Sequence, residues 1–355
     1  VFVFLTALAC FTSPAAPTHS EGTVSLSRPA LPPAPADVQT RLARLAGAFR
    51  GDAGVAIMDV EDGWMAAYNA QRDYPQQSVA KVWVALAVMD AVDRGVLSLE
   101  DPIVVRRQDL SLFYQPISRQ VGANGYATTI GDLLHRAIEE SDNAADDILM
   151  ERVGGAAAVE KLLSRKHLGG IRVGDDQKHL QSRIAGLTWR PEYIGWAFKA
   201  ARETVPMEVR DASLAAYLAD PPDRATPAAV AQALTALARG QLLTPQSTAA
   251  LLTVMGGTVT GQTRLRAGLE RDWSIAHKTG TGPDWRGASV GINDVALVRA
   301  PDGHRYAVAV FIGQTVATIP ERRSFMQAVA RTVVEHWNEA RQSPQTPSAT
   351  AQTRS

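Results

Sequence analysis

The chain has one cysteine, Cys10, among its 355 residues, so no disulfide can form within it. Lysine plus arginine and aspartate plus glutamate number 36 each, so composition forces no basic surface and we expect no nucleic-acid partner. The seven histidines have no metal-ligand spacing, and no glycine-rich phosphate loop is present. We therefore expect neither a metal nor a cofactor.

Long apolar runs are also scarce, and the first covers only Val1 to Cys10, which is too short to span a bilayer. It resembles the apolar part of a secretory signal, with a small-residue cleavage site at Ala7-Leu8-Ala9 but no lysine or arginine before Arg28. Residues 12–37 are rich in proline, alanine and serine and read as a tether. We expect an exported, periplasmic protein, in which Cys10 is either incidental or a lipid anchor.

The most informative stretch is Ser78-Val79-Ala80-Lys81 and the run behind it, which is apolar to Met89 apart from Lys81. A helix that is apolar on all sides is buried, and burial lowers the pKa of a lysine. Ser78 and Lys81 lie about one turn apart, which is the arrangement of a nucleophile activated by an amine. Such a short motif also arises by chance, so its interpretation depends on the rest of the chain.

Strand patterns occur at both ends of the chain and helix patterns lie between them. We predict a mixed α/β (α+β) fold, in which an antiparallel sheet flanked by helices is formed by residues 38–77 and 261–340. Residues 78–260 are predicted to form an all-helical domain, with an extended loop at about 168–226 and a disordered tail at 341–355. A cleft between the two parts is the natural place for a site.

Individual elements follow from periodicity and from capping residues. Helices are predicted at 36–49, from Ser78 to about Gly95, and from Thr129 onward. They are followed by one helix that ends at Val153, one that ends at about Lys166, and others at 191–202, from Thr226 onward and at 320–337. Strands are predicted at 53–59, 64–69, 273–278, 288–299 and 305–313. Residues 109–127 read as a loop. The aromatic patch that includes Trp189, Trp196 and Phe198 is interpreted as a packing cluster.

Two further segments carry chemistry that complements Ser78 and Lys81. Ser141 could relay a proton and Asn143 could hydrogen-bond a substrate amide, whereas Lys278 and Thr279 could bind a carboxylate from a strand edge. Backbone N–H groups at Ser78 and Thr281 could form an oxyanion hole. This set predicts acyl transfer through a covalent acyl-enzyme.

The order Ser-x-x-Lys, Ser-Asp-Asn, Lys-Thr-Gly resembles the class A β-lactamases and their penicillin-binding relatives over about residues 38–337. The resemblance implies that Tyr114, in Tyr-Gln-Pro, lies at the mouth of the site. It also implies that Arg264, within residues 260–268, supports the substrate carboxylate, and that residues 291–296 form a strand. By the family's pattern the protein opens a β-lactam ring through an acyl-Ser78 intermediate.

One part of the family's pattern is not met. Class A enzymes carry a loop glutamate that activates the water of deacylation, and aligning Leu180 with the family's leucine puts Gln177 at that position and Gln181 in place of an asparagine. The segment beyond, about residues 182–222, is longer than the family's. Glu192 in Arg-Pro-Glu keeps the family's Arg-x-Glu spacing and is our candidate deacylation base, with Asp175 and Asp176 as weaker alternatives.

Three functions remain open at this point. The first is a serine β-lactamase, the second is a D-alanyl-D-alanine peptidase, and the third is a penicillin-binding or sensor protein that deacylates slowly. For all three we expect a monomer and a small-molecule β-lactam or peptidoglycan-like substrate.

Overall fold

The central sheet is assembled from both ends of the chain, as predicted. A computed structural model describes residues 31–194 and 197–342. In these residues the strands are β1 (Gly51–Asp59), β2 (Met65–Tyr68), β3 (Tyr74–Pro75), β4 (Pro102–Val105), β5 (Tyr126–Thr129), β6 (Arg224–Ala225), β7 (Ser274–Gly280), β8 (Asp284–Trp285), β9 (Ala288–Arg299) and β10 (Arg305–Thr315). The main sheet has the antiparallel order β2-β1-β10-β9-β7, with β8 also paired to β9.

Helices cover both faces of this sheet. The helices in the described residues are α1 (Ala36–Ala48), α2 (Lys81–Asp93), α3 (Ile130–His135), α4 (Asn143–Arg152), α5 (Gly155–Arg165), α6 (Gln177–Ile184), α7 (Ala197–Thr204), α8 (Met207–Ala219), α9 (Pro227–Ala238), α10 (Pro245–Gly256) and α11 (Ile319–Gln342). One core packs α1 and α11 on the outer sheet face, and a larger core packs α2, α4 and α9 against the other. Because both faces are covered, β9 and β10 are buried along nearly their whole length.

The helix α2 is the centre of the larger core. Every residue from Lys81 to Ala91 is buried, as the all-apolar pattern predicts. The chain enters α2 through a 3-10 turn over Gln77–Ala80 and leaves it before Gly95, whose φ of +67° suits glycine. Within the described segments, none of the helices is both long enough and apolar enough to cross a membrane.

Two local predictions are wrong and others are outside the described residues. Residues 126 and 127, at the end of the segment predicted to be mostly loop, belong instead to strand β5, which pairs with β4. The helix predicted over 191–202 is replaced by a short 3-10 turn at Pro191–Tyr193 and by α7. Residues from Pro32 onward form one compact unit, so the domain boundaries given above stay a prediction. Cys10, Trp196 and residues 343–355 lie outside the described part of the chain.

Candidate active site

Ser78 lies in the short 3-10 turn that precedes α2, and its side chain lines a cleft of about 500 Å³. The residue before it, Gln77, has a φ of +52°, an uncommon backbone conformation for a residue other than glycine. Its N–H donates to the buried carboxylate of Asp223 at 2.7 Å, which holds the turn in place. Within the described residues the Ser78 hydroxyl has no hydrogen-bond partner, so it is free to meet a substrate.

Lys81 is completely buried below the cleft. Its ammonium donates to the backbone oxygen of Ser141 and to Oδ1 of Asn143, both at 2.7 Å. Burial lowers the pKa of Lys81, although the nearby carboxylates, Asp146 first among them, act in the opposite direction. The sequence-based expectation of a buried lysine with a lowered pKa is therefore confirmed.

A second buried lysine, Lys278 on β7, contacts Ser141 as well. Its Nζ donates to Oγ of Ser141 at 2.8 Å and to the backbone oxygen of Thr279 at 3.0 Å. The pKa of Lys278 is lowered strongly, first by burial and then by the positive charge of Lys81. Ser141, which has a left-handed φ of +64°, thus contacts both lysines, one through its backbone and one through its hydroxyl.

The β7 side of the cleft carries the groups predicted to bind a carboxylate. The Thr279 hydroxyl hydrogen-bonds that of Thr260 at 2.8 Å. Arg264 donates to the Thr281 hydroxyl at 2.7 Å and to the backbone oxygens of Gly280 and Asn293 at 2.9 and 2.6 Å. The structure brings all these side chains to one wall, although Arg264 is also a structural cross-link between β7 and β9.

Tyr114 and Asn143 line the other side of the cleft. Tyr114 is 58% exposed, in keeping with a place at the mouth, and its backbone oxygen accepts from the N–H of Asn143 at 2.9 Å. The side chain of Asn143 accepts from Lys81 through Oδ1 and donates through Nδ2 to the backbone oxygen of Leu112 at 2.9 Å. Its Nδ2 has a second hydrogen that remains for a substrate amide.

Gln177 begins α6 and lines the cleft, with only 3% of its surface exposed. Its backbone N–H donates to Asp147 at 2.6 Å, and its side-chain amide donates to Asp146 at 3.2 Å. Burial raises the pKa of both aspartates, that of Asp147 to about 8. Gln181, one turn further along α6, also lines the cleft and donates to the Gln77 side chain at 3.0 Å.

The structure does not bring Glu192 into this cleft. Glu192 lies in the exposed 3-10 turn Pro191–Tyr193 and is absent from the cleft lining. The wall is formed there by α6, whose first residue, Gln177, is held by Asp147 and lines the cleft together with Gln181. Asp175 and Asp176 do not line the cleft either, since they pair with Arg183 and with His179 and Lys178.

Sequence reasoning missed three residues that shape the site. Asp146 and Asp147 follow the Ser-Asp-Asn motif and lie between Ala144-Ala145 and Ile148-Leu149-Met150, a pattern that could have marked them as buried acids. Asp223 had no such signal, because its contact with Gln77 joins positions far apart in the chain.

Residues 31–194 and 197–342 contain two groups of possible metal ligands that the spacing of the histidines did not suggest. They are Asp175, Asp176 and His179, and Asp59, Glu61 and His304. In each group the carboxylates already accept hydrogen bonds from backbone N–H groups or pair with arginine or histidine, so we assign no metal to them.

Comparison with known proteins identifies the family of this chain. A model of the β-lactamase enzyme family matches residues 37–337. β-Lactamase VEB-1 of Pseudomonas aeruginosa is 28% identical over 286 residues, which are 80% of this chain and 84% of that protein. A β-lactamase structure from Chitinophaga pinensis has a TM-score of 0.70 at 28% identity, covering 86% of this chain and 99% of its own. The ancestral (GNCA) class A β-lactamase has a TM-score of 0.67 at 30% identity, covering 84% and 99%. The chain therefore belongs to the β-lactamase enzyme family, a family of hydrolases, and has the class A fold.

Proposed function

We propose that this protein is a serine β-lactamase that opens the β-lactam ring through an acyl-Ser78 intermediate. The observation that carries the proposal is the buried Lys81 one turn from Ser78, with Ser141 held between Lys81 and Lys278. Family membership supports hydrolysis of β-lactams, and the cleft supplies a nucleophile, a base and a cationic wall for that reaction.

In the proposed acylation, Lys81 in its neutral form takes the proton of the Ser78 hydroxyl, and the burial that lowers the pKa of Lys81 favours that form. Oγ of Ser78 then forms a bond to the lactam carbonyl carbon. The oxyanion that results is placed against the backbone N–H groups of Ser78 and Thr281, which is the usual way to stabilise developing negative charge.

Collapse of this intermediate breaks the bond between the carbonyl carbon and the ring nitrogen. The Ser141 hydroxyl accepts from Lys278 in the structure. In the proposed step it turns towards the ring nitrogen, gives its proton to that nitrogen and regains one from the Lys81 ammonium, so the relay ends with its proton count unchanged. The Nζ of Lys278, at 2.8 Å from Oγ of Ser141, positions this hydroxyl before the transfer. It also attracts the substrate carboxylate, with Thr279 and Arg264 on the same wall.

A second candidate is favoured by Gln177. Deacylation needs a group that takes a proton from water, and a carboxamide at the wall of the cleft can orient water but cannot deprotonate it. An acyl-enzyme that forms quickly and is released slowly would make the protein a penicillin binder or sensor. The third alternative, a D-alanyl-D-alanine peptidase, would need the same acylation machinery with a peptide substrate.

One experiment separates these functions. Mass spectrometry of the intact protein after mixing with benzylpenicillin should show a penicilloyl adduct, and digestion should place it on the peptide that contains Ser78, together with released penicilloate in solution. Ser78→Ala should abolish both, and an adduct that survives this substitution would refute the assignment. Adduct without release favours the binder, and turnover of an acyl-D-Ala-D-Ala peptide without penicilloate release favours the peptidase.

A further inference from the structure

A small side pocket opens from the cleft on its helical side. It shares Phe113, Gln181, Arg202 and Pro283 with the cleft lining. Its volume is about 40 Å³, against about 500 Å³ for the cleft, so it accepts a group of a few atoms and not a second ring. The long segment at 182–222 supplies much of its wall through α7 and α8.

Two arginines face this pocket, Arg202 from α7 and Arg210 from α8. Neither guanidinium has a carboxylate partner or a side-chain hydrogen bond among the described residues. Arg202 lies over the ring of Phe113 at 5.7 Å, and Arg210 lies over that of Trp285 at 3.7 Å. A ring face attracts the positive charge but accepts none of the forked N–H hydrogens, so no described protein group takes the donors of either arginine.

The two arginines also act on each other. Burial, and after it the positive charge of Arg202, lowers the pKa of Arg210. Two like charges beside a partly desolvated pocket repel, and an anion between them would relieve that repulsion.

The neighbouring acids are committed to other partners. Asp211, which attracts Arg210, bonds the Trp285 indole at 2.6 Å and Arg286 at 2.8 Å. Glu203 pairs with Lys199 at 4.0 Å. Asp284 lines the pocket and accepts from the Ser289 hydroxyl. The pocket therefore holds two cations against one carboxylate that is already hydrogen-bonded, which leaves room for one more negative charge.

We propose that this pocket is a subsite for a carboxylate carried on the acyl side chain of the substrate, held by Arg202 and Arg210. The ring carboxylate is assigned to Lys278, Thr279 and Arg264 on the β7 wall, whereas the side pocket lies beside Gln181 and Phe113 on the helical side. A substrate with an anionic group at each end therefore matches both charged regions of the site. This inference rests on the proposed function and gives the segment at 182–222 a role in substrate selection.

The test compares benzylpenicillin with its α-carboxy derivative, which differ by one carboxylate on the side chain. The quantity measured is the second-order rate constant for acylation of Ser78, followed by intact mass, because it does not depend on deacylation. We expect the α-carboxy compound to react about 1.5- to fivefold faster at low salt, the range for an exposed ion pair, with the preference falling as salt rises.

Arg202→Gln and Arg210→Gln should each bring the ratio of the two rate constants towards one. Lys199→Gln is the matched control, because Lys199 is an exposed cation on the same helix as Arg202 and does not line the pocket. A ratio that is unchanged in both arginine variants, or that falls equally in Lys199→Gln, would overturn the subsite.

A second measurement keeps the subsite testable if neither penicillin acylates Ser78, an outcome that would refute the proposed function itself. Phenylmalonamic acid, the side chain of the α-carboxy compound without its ring system, should bind the wild-type protein in a calorimetric titration. Phenylacetamide, which lacks the carboxylate, should bind more weakly. Equal binding of the two, or binding that Arg202→Gln does not weaken, would exclude the subsite independently of the reaction.

Discussion

The sharpest prediction concerns the carboxamide of Gln177 and the carboxylate of Asp146, which lie 3.2 Å apart under the cleft. In Gln177→Glu a second carboxylate would stand beside a first that is already buried and has a raised pKa. Two unit charges about 3 Å apart repel by about 5 kcal/mol at an effective dielectric constant of about 20. The pair would therefore share one proton and titrate as a unit, as close carboxyl pairs do.

The single substitution should accordingly give only a small gain in deacylation near neutral pH. In the double variant Asp146→Asn/Gln177→Glu, the new amide donates to the new carboxylate, so the contact is kept with donor and acceptor exchanged. The introduced carboxylate is then free to ionise and to take a proton from water. General-base catalysis contributes about 10²- to 10⁴-fold to a rate, and we expect the double variant to deacylate faster than the wild type by an amount in that range.

The assay is the decay of the penicilloyl adduct, followed by intact mass after excess penicillin is removed. Gln181→Glu is the matched control, since it places a carboxylate on the same helix and at the same cleft, one turn away. Thermal unfolding checks that all variants fold. The reasoning is refuted if Gln177→Glu alone deacylates as fast as the double variant, or if the double variant is no faster than the wild type.

Two other predictions follow from buried groups. Arg264→Ala should slow acylation by carboxylate-bearing substrates by about ten- to a hundredfold, the effect of losing a charged hydrogen bond. It should also lower the melting temperature, because the backbone oxygens of Gly280 and Asn293 lose their donor. An unchanged melting temperature would show that Arg264 does not cross-link the strands. The pKa of Asp147 is raised to about 8, so its contribution to stability is complete below about pH 4 and is lost as pH rises through about 8. Melting temperatures measured from pH 5 to 8.5 should therefore fall more steeply in the wild type than in Asp147→Asn, and parallel curves would contradict this.

Local pattern predicted the parts of the site that depend on local structure. The apolar run after Ser78 could only form a buried helix, and this settles both the burial of Lys81 and the direction of its pKa shift. The strand that carries Lys278 was likewise predicted from its own segment, residues 273–278, and is observed as β7. Such features need only a short window of sequence.

The errors came from contacts between distant positions. The spacing of Arg190 and Glu192 suggested a base, but Glu192 lies in an exposed turn, and the cleft is lined instead by Gln177, whose N–H is held by Asp147. The conformation of Gln77 depends in the same way on Asp223. The periodicity of one segment does not predict which buried acid from another segment will contact it. The contacts of Asp147 with Gln177 and of Asp223 with Gln77 were therefore visible only in the folded structure.

The pairing of β1 with β10 has a consequence for how the protein folds. Gly51 lies opposite Thr315, so a strand near the beginning of the chain is completed only by one near its end. Until β10 has been synthesised, β1 and β2 form an unfinished edge that can pair with other chains. Closure over so long a sequence separation is slow, and the helices between can acquire their local structure first. We therefore expect the sheet to be the last part to form and its N-terminal strands to be the segment most exposed to aggregation during refolding.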